Sequence, residues 1–144
     1  MIGTGGHFRH LIAEGCDPQA ALVAIGNNHD RKQEAASRVA RWDKFVSIRA
    51  IVYPFEEDLG EGCQIMAGAV IHAPIGKHVI VGNNAVVSHD CVIEDYAFIG
   101  PCAVICGGAT ISMGAFVGAG AVVTPGATVP PWALVKAAER WSKK

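Results

Sequence analysis

The second half of the sequence contains almost no charged residues. None occurs from Tyr96 to Val135, and residues 53–129 contain a single basic side chain, Lys77. The chain has no long basic run, so we expect no nucleic-acid partner. Gly, Pro, Ser and Thr interrupt the apolar residues throughout, so we expect no membrane span. An uncharged segment of this length instead predicts burial on several sides, including burial by other subunits.

Aromatic residues are also scarce, at 7% of 144 residues, whereas glycine occurs 17 times. This composition favours a thin core built from repeats over a bulky globular core. The five cysteines are an odd number and the N-terminus predicts no signal peptide, so we expect reduced thiols in a cytoplasmic protein. Cys102 and Cys106 lack the second pair that a structural zinc site needs, and we assign no metal.

The feature that is present is a strict period of six residues. Every sixth residue from Val81 to Val129 is Val or Ile, and the residue four places after each is Ala or Cys. A period of six is neither a helix nor a lone strand, and it indicates a chain that coils around a narrow interior. Gly and Asn recur at the third and fourth places of the blocks, where they tolerate corners with positive φ.

The repeat extends beyond this stretch in both directions. The same spacing reaches back to Leu59, with one step of only four residues, from Ile71 to Ile75. We expect this short step to shorten one face of one coil. Pro130 and the proline after it are predicted to end the coils, because proline cannot extend a sheet ladder. Residues 132–144 are predicted to form a short C-terminal helix.

The N-terminal third has a different pattern, typical of an incomplete α/β domain. Residues 21–25 are predicted to be a buried strand, Asp30 to Trp42 a helix, and Phe45 to Tyr53 a second strand. Ligands of open α/β sheets lie at the carboxyl ends of strands, which here indicates Gly26, Asn27 and the asparagine after them. The predicted domains are therefore 1–52 (α/β), 53–131 (β-helix) and 132–144 (helix).

Two segments resemble a known family of hexapeptide-repeat acyltransferases. They are VAIGNN at residues 23–28, followed by Asp-Arg-Lys at 30–32, and VSHDCVIEDYAFIGPCAVICGGATI at residues 87–111. The family contains the sialic acid O-acetyltransferases and the bacillosamine and perosamine N-acetyltransferases. The resemblance covers most of residues 20–129. It implies a left-handed parallel β-helix with three short strands per coil, assembled as a homotrimer.

The resemblance also implies an activity and a set of site residues. Acetyl-CoA is the implied co-substrate, lying between two subunits, and the acceptor is an amino or hydroxyl group of a sugar or nucleotide sugar. His89 is the implied general base and Asp90 its orienting partner. The backbone N–H of Gly107 is implied to assist the acetyl oxygen, and Gly26 to contact the sugar nucleotide. The implied contacts to CoA are Phe98, Gly107, Gly108 and Ala119.

The chain departs from the family at its front, where much of the N-terminal domain is missing. Gly5, Gly6 and His7 match the family's glycine loop if an internal deletion follows them, and they can then hold a phosphate at a helix N-terminus. Alternatively, residues 7–26 match the later helix and strand, and the loop is lost. The second alignment leaves almost no nucleotide pocket.

Two other functions remain open from the sequence. A zinc-dependent lyase similar to the γ-class carbonic anhydrases would need three histidines, which His72, His78 and His89 supply in number but not in the expected spacing. We expect His72 and His78 to be surface residues. The truncated front would also suit a non-catalytic trimeric binding or assembly protein.

Overall fold

The computed structural model describes residues 23, 25–37, 42–53 and 58–143. These residues form one helix and fifteen strands of two residues each. The elements are α1 (Asn28–Ala36), β1 (Phe45–Val46), β2 (Ile51–Val52), β3 (Gln64–Ile65), β4 (Val70–Ile71), β5 (Ile80–Val81), β6 (Val86–Val87), β7 (Val92–Ile93), β8 (Phe98–Ile99), β9 (Val104–Ile105), β10 (Thr110–Ile111), β11 (Phe116–Val117), β12 (Val122–Val123), β13 (Thr128–Val129), β14 (Leu134–Val135) and β15 (Arg140–Trp141).

The strands stack into three parallel sheets that the chain visits in turn. The first sheet has the order β1-β3-β5-β8-β11-β14, the second β2-β4-β6-β9-β12-β15 and the third β7-β10-β13. A full coil takes 18 residues, the separation of the paired residues Phe98 and Phe116. The predicted left-handed parallel β-helix is confirmed.

The interior consists of the predicted aliphatic positions. The second residue of each strand from β3 to β14 points inward and is buried, as Ile99, Ile105 and Ile111 illustrate with no exposed surface. The small residues before the strands, such as Ala103 and Ala109, are equally buried. Because all three sides of the prism repeat the same two residue sizes, each coil stacks in register on the coil before it.

The four-residue step from Ile71 to Ile75 shortens one corner of the β-helix. Ile75 makes isolated parallel bridges to Leu59 and Ile93, so it keeps its place in line with the third sheet. The missing two residues are therefore taken from the turn between the second and third sheets. His89 lies in the turn directly above this shortened one.

The predicted C-terminal helix is wrong, because the coils continue through residues 132–143. Strand β14 pairs with β11, and β15 pairs with β12. Pro130 does not stop the coils because it lies at a corner. The equivalent residue one coil earlier, Ser112, donates its N–H upward to Val129. No later coil stacks above Pro130 in the described chain, so its missing N–H leaves no carbonyl unpaired.

The segment Phe45–Tyr53, predicted as one strand, is two strands separated by a turn. Phe45 pairs with Gln64 in the first sheet, and Ile51 pairs with Val70 in the second. These strands therefore form the first described coil of the β-helix. Of the strand predicted over residues 21–25, only Val23 and Ile25 lie among the described residues.

Helix α1 begins earlier and ends earlier than the sequence predicts. It spans Asn28–Ala36, and its N-cap is Asn27, whose side chain accepts hydrogen bonds from the N–H groups of His29 and Asp30. This cap satisfies two of the free donors of the first turn. Among the described residues, no helix is long and apolar enough to cross a membrane.

Candidate active site

His89 and Asp90 lie in an exposed turn between β6 and β7. The His89 side chain is 77% exposed and the Asp90 side chain 84%, so neither supports the core. The Nδ1 atom of His89 is 2.8 Å from Oδ2 of Asp90. A carboxylate accepts hydrogen bonds only, so this contact places a proton on Nδ1 and leaves Nε2 free to accept one.

Gly107 and Gly108 lie one coil later in the same corner, next to His89. The N–H of Gly108 donates to the His89 carbonyl oxygen at 3.1 Å. A Cβ atom placed on Gly107 would lie 2.9 Å from Cε1 and 3.0 Å from Nε2 of the His89 ring. Because real Cβ contacts are longer than this, only glycine permits the ring to take its present position. The structure therefore brings His89, Asp90, Gly107 and Gly108 together.

Among the described residues, the backbone N–H of Gly107 lacks the hydrogen bond to a carboxylate that equivalent residues make at another corner of the β-helix. At the corner between the third and first sheets, the N–H of Lys77 donates to Asp95 and the N–H of Met113 donates to Glu94. In the described part of the chain, the Gly107 N–H has no such acceptor. An available donor therefore lies within a few ångströms of the imidazole.

Phe98 and Ala119 do not join this cluster within one chain. Phe98 lies on the outer side of the first sheet, where its ring stacks on Phe116 with centroids 4.4 Å apart. Ala119 is exposed in the turn between β11 and β12, which joins the first sheet to the second. The His89 corner lies at the opposite ends of the strands of the second sheet.

Gly26 and Asn27 lie at a third position, beside the corner between the third and first sheets. Asn28 fixes the helix start to this corner, since its side-chain amide donates to the carbonyl oxygen of Gly114 at 2.9 Å. A cavity of about 170 Å³ lies here, and a cavity of about 420 Å³ shares two of its lining residues. The smaller cavity is lined by Asn27, Asn28, His29, Gly114, Phe116 and Trp132. Gly5, Gly6 and His7 lie outside the described residues.

His78, predicted to be a surface residue, is buried with 4% of its surface exposed. Its ring stacks on Tyr96 at 5.3 Å and meets the Trp42 ring edge-on at 5.6 Å. The Nδ1 atom is buried and has no hydrogen-bond partner among the described residues. The sequence pattern does not reveal this burial because one of the covering residues, Trp42, comes from the non-repeating N-terminal part. His72 is exposed, as predicted.

The burial of His78 predicts a loss of stability in acid. Burial lowers the pKa of His78, with Arg31 and Lys77 lowering it further and Glu61 and Asp95 opposing them. The unfolded chain therefore binds a proton first, so stability is full above the unfolded pKa of about 6.5 and falls as the pH drops below it. We expect His78→Phe to flatten this dependence. Thermal unfolding at about pH 7.5 and about pH 5 measures it.

A matched variant separates this effect from general acid sensitivity. His72→Phe changes an exposed histidine in the β4 to Ile75 turn and should keep the pH dependence of the parent protein. Equal pH dependence in the parent and in His78→Phe would contradict the prediction.

In the part of the chain that the structure describes, no group of three His, Cys, Asp or Glu side chains is arranged to hold a metal ion.

The fold and the repeat pattern define the class of protein. The family model described as bacterial transferase hexapeptide (six repeats) matches residues 75–107 and 90–125. A comparison with curated protein sequences found no significant match. The prediction of a hexapeptide-repeat protein with the β-helix of the acyltransferases is confirmed.

Solved structures show which proteins of this class the chain is similar to. The chain is similar to perosamine N-acetyltransferase from Caulobacter crescentus, with a TM-score of 0.86 and 27% identity over 98% of this chain and 86% of that chain. That structure is a histidine-to-asparagine mutant in complex with CoA and GDP-perosamine. The acetyltransferase domain of PglB from Neisseria gonorrhoeae FA1090 matches with a TM-score of 0.57 and 28% identity, over 88% of this chain and 72% of that chain. The predicted resemblance to sugar N-acetyltransferases of the hexapeptide family is thus confirmed.

Proposed function

We propose that this protein transfers an acetyl group from acetyl-CoA to an amino or hydroxyl group of a sugar or sugar-like acceptor. The observation that carries the proposal is the exposed pair of His89 and Asp90 beside the side-chain-free surface of Gly107. The similarity to acetyltransferase structures with CoA, and in one case GDP-perosamine, supports the same activity.

His89 is the general base in this proposal. Asp90 holds the Nδ1 proton, so Nε2 takes the proton of the acceptor as its nitrogen or oxygen attacks the thioester carbonyl. The tetrahedral intermediate then collapses with cleavage of the C–S bond. The imidazolium returns the proton to the departing sulfur, which leaves as CoA thiol, and the base is restored.

Gly107 contributes a donor to the same step. Negative charge develops on the carbonyl oxygen during attack, and a backbone N–H stabilises it without having to reorganise. The Gly107 N–H is available for this role within the described residues.

A complete site requires a second subunit, and we propose a homotrimer. His89 and Ala119 lie at two different corners of the β-helix, at opposite ends of the strands of the second sheet. In a cyclic trimer each contact is heterologous, so one surface of a subunit contacts a different surface of the next subunit. CoA bound by Phe98 and Ala119 of one subunit then reaches His89 of its neighbour, although the two groups lie apart in a single chain.

The outer side of the second sheet carries an aliphatic ladder that suits such a contact. Its members pair in register from coil to coil, and two of them, Ile51 and Val122, are 60% and 36% exposed. A monomer would leave this row in water, which favours its burial by another copy of the chain. The ladder consists of Ile51, Val70, Val86, Val104 and Val122.

A charge placed in the ladder is expected to dissociate the trimer. Val104→Asp buries a carboxylate in the subunit contact while leaving the interior of the coil untouched, since Val104 points outward. Light scattering at micromolar concentration should change from three subunit masses to one. Thr110→Asp, on the outer side of the third sheet, is the matched control and should remain trimeric. A parent protein with the mass of one subunit would refute the trimer.

The acceptor is assigned to the start of helix α1. Asn27, which follows Gly26, lines the smaller of the two cavities beside Trp132. The larger cavity, which shares His29 and Trp132 with it, has a volume typical of small-molecule sites. This region faces a different corner from His89, so the acceptor also approaches the base of a neighbouring subunit.

A thiol-release screen tests the proposed activity. Acetyl-CoA is supplied with amino sugars, nucleotide sugars and small amines, and free CoA is measured. Acceptor-dependent release supports the transferase. Tight binding of acetyl-CoA with no release for any acceptor contradicts it, and absence of acetyl-CoA binding favours the non-catalytic assembly protein.

A further inference from the structure

Arg31 is a fully buried arginine at the junction between helix α1 and the β-helix. None of its surface is exposed. Burial lowers the pKa of its guanidinium to about 10, which leaves the group charged at neutral pH. Within the described residues no carboxylate pairs with it, and the oxygens that accept its hydrogen bonds there are all neutral. Such burial is costly unless every N–H finds an acceptor.

The guanidinium satisfies that requirement by joining three segments. Nε donates to the His78 carbonyl oxygen at 2.9 Å. Nη1 donates to the Ile25 carbonyl at 3.0 Å, with a longer contact to Gly26 at 3.3 Å. Nη2 donates to the Tyr96 carbonyl at 2.7 Å and to Oδ1 of Asn28 at 2.9 Å.

The contacts connect the acceptor segment to two successive coils. Ile25 and Gly26 belong to the loop that enters α1, and Asn28 is the first residue of the helix. His78 and Tyr96 occupy equivalent turns one coil apart. A planar group with five N–H donors in a rigid fork fixes both the distance and the angle between these parts. A shift of the loop by one carbonyl would leave a buried donor or acceptor unpaired, at a substantial cost in free energy.

We propose that Arg31 is a positioning residue for the acceptor, which sets the place of Gly26 and Asn27 relative to the β-helix. The assignment rests on the proposed acetyl transfer to an acceptor bound at this loop. Arg31 does not contact the thioester or the base. It therefore controls acceptor binding. Acetyl-CoA binding involves the outer surface of the coils and does not depend on Arg31.

Arg31→Met tests this role, with Arg49→Met as the matched control on an exposed turn. We expect Arg31→Met to lower kcat/KM for the acceptor by roughly 10- to 100-fold, because misplacement of about 1 Å has an effect of this order. The KM for acetyl-CoA and the mass by light scattering should not change. Arg31→Lys, with donors on one nitrogen only, should recover part of the loss. Arg49→Met should behave as the parent.

Amide hydrogen exchange provides a second test of Arg31 that does not require an acceptor substrate. Peptides covering residues 25–37 should exchange faster in Arg31→Met, while peptides covering 98–117 keep their protection. Unchanged exchange over 25–37 would overturn the proposal, as would a parallel loss of acetyl-CoA affinity and trimer, which indicates a general structural role. If the parent acetylates no acceptor, the proposed activity fails, and the exchange measurement alone decides whether Arg31 positions the loop.

Discussion

Replacement of His89 by alanine is expected to lower turnover by roughly 10²–10⁴-fold, the usual contribution of a general base. The side chain is 77% exposed and contacts Asp90 and Gly107 rather than the core. The fold, the subunit assembly and the affinity for acetyl-CoA should therefore stay close to those of the parent. Thiol release measures turnover, and circular dichroism, light scattering and calorimetry measure the rest.

Two further variants sharpen this result. His72→Ala removes an exposed histidine from the turn just below and should keep full activity. Asp90→Asn should cost less than His89→Ala, because it weakens the contact to Nδ1 but retains the base. Full activity in His89→Ala would reject the assignment of the base. Loss of the folded assembly would instead make His89 a structural residue.

Gly107→Ala is expected to lower turnover by roughly 10- to 100-fold through displacement of the His89 ring, since a shift of about 1 Å can have this effect. The added Cβ would lie 2.9 Å from Cε1, so the ring must move. The backbone itself is not strained by alanine, because Gly107 lacks the left-handed φ of Gly108. The coil should remain folded.

A double-mutant cycle separates displacement of the ring from other effects of the methyl group. In the His89→Ala background the methyl group has no ring to displace, so Gly107→Ala should cost less than about 3-fold there. Equal losses in both backgrounds would show that Gly107 acts without His89, for example through its own N–H. The same assay and the same acceptor serve all four proteins.

The six-residue period determined the coil and part of the site. Each coil is three blocks, or 18 residues, and 89 plus 18 is 107, so the repeat alone stacks Gly107 above His89. The third and fourth places of each block form the turns, which explains why His89 and Asp90 are exposed. The fourth place has positive φ even where it is not glycine, as at Asp90 and Tyr96. These features are local or one coil apart, and a strict period specifies both.

The tertiary structure decided what the period does not specify. The N-terminal residues have no repeat, so nothing in them sets a register with the coils, and the burial of Arg31 and His78 appears only when the helix is docked. At the other end, the apolar run after Pro130 is compatible with a helix or a strand. Pairing of Leu134 with Phe116 selects the strand, because the coil below offers unpaired backbone groups that a helix would leave unsatisfied.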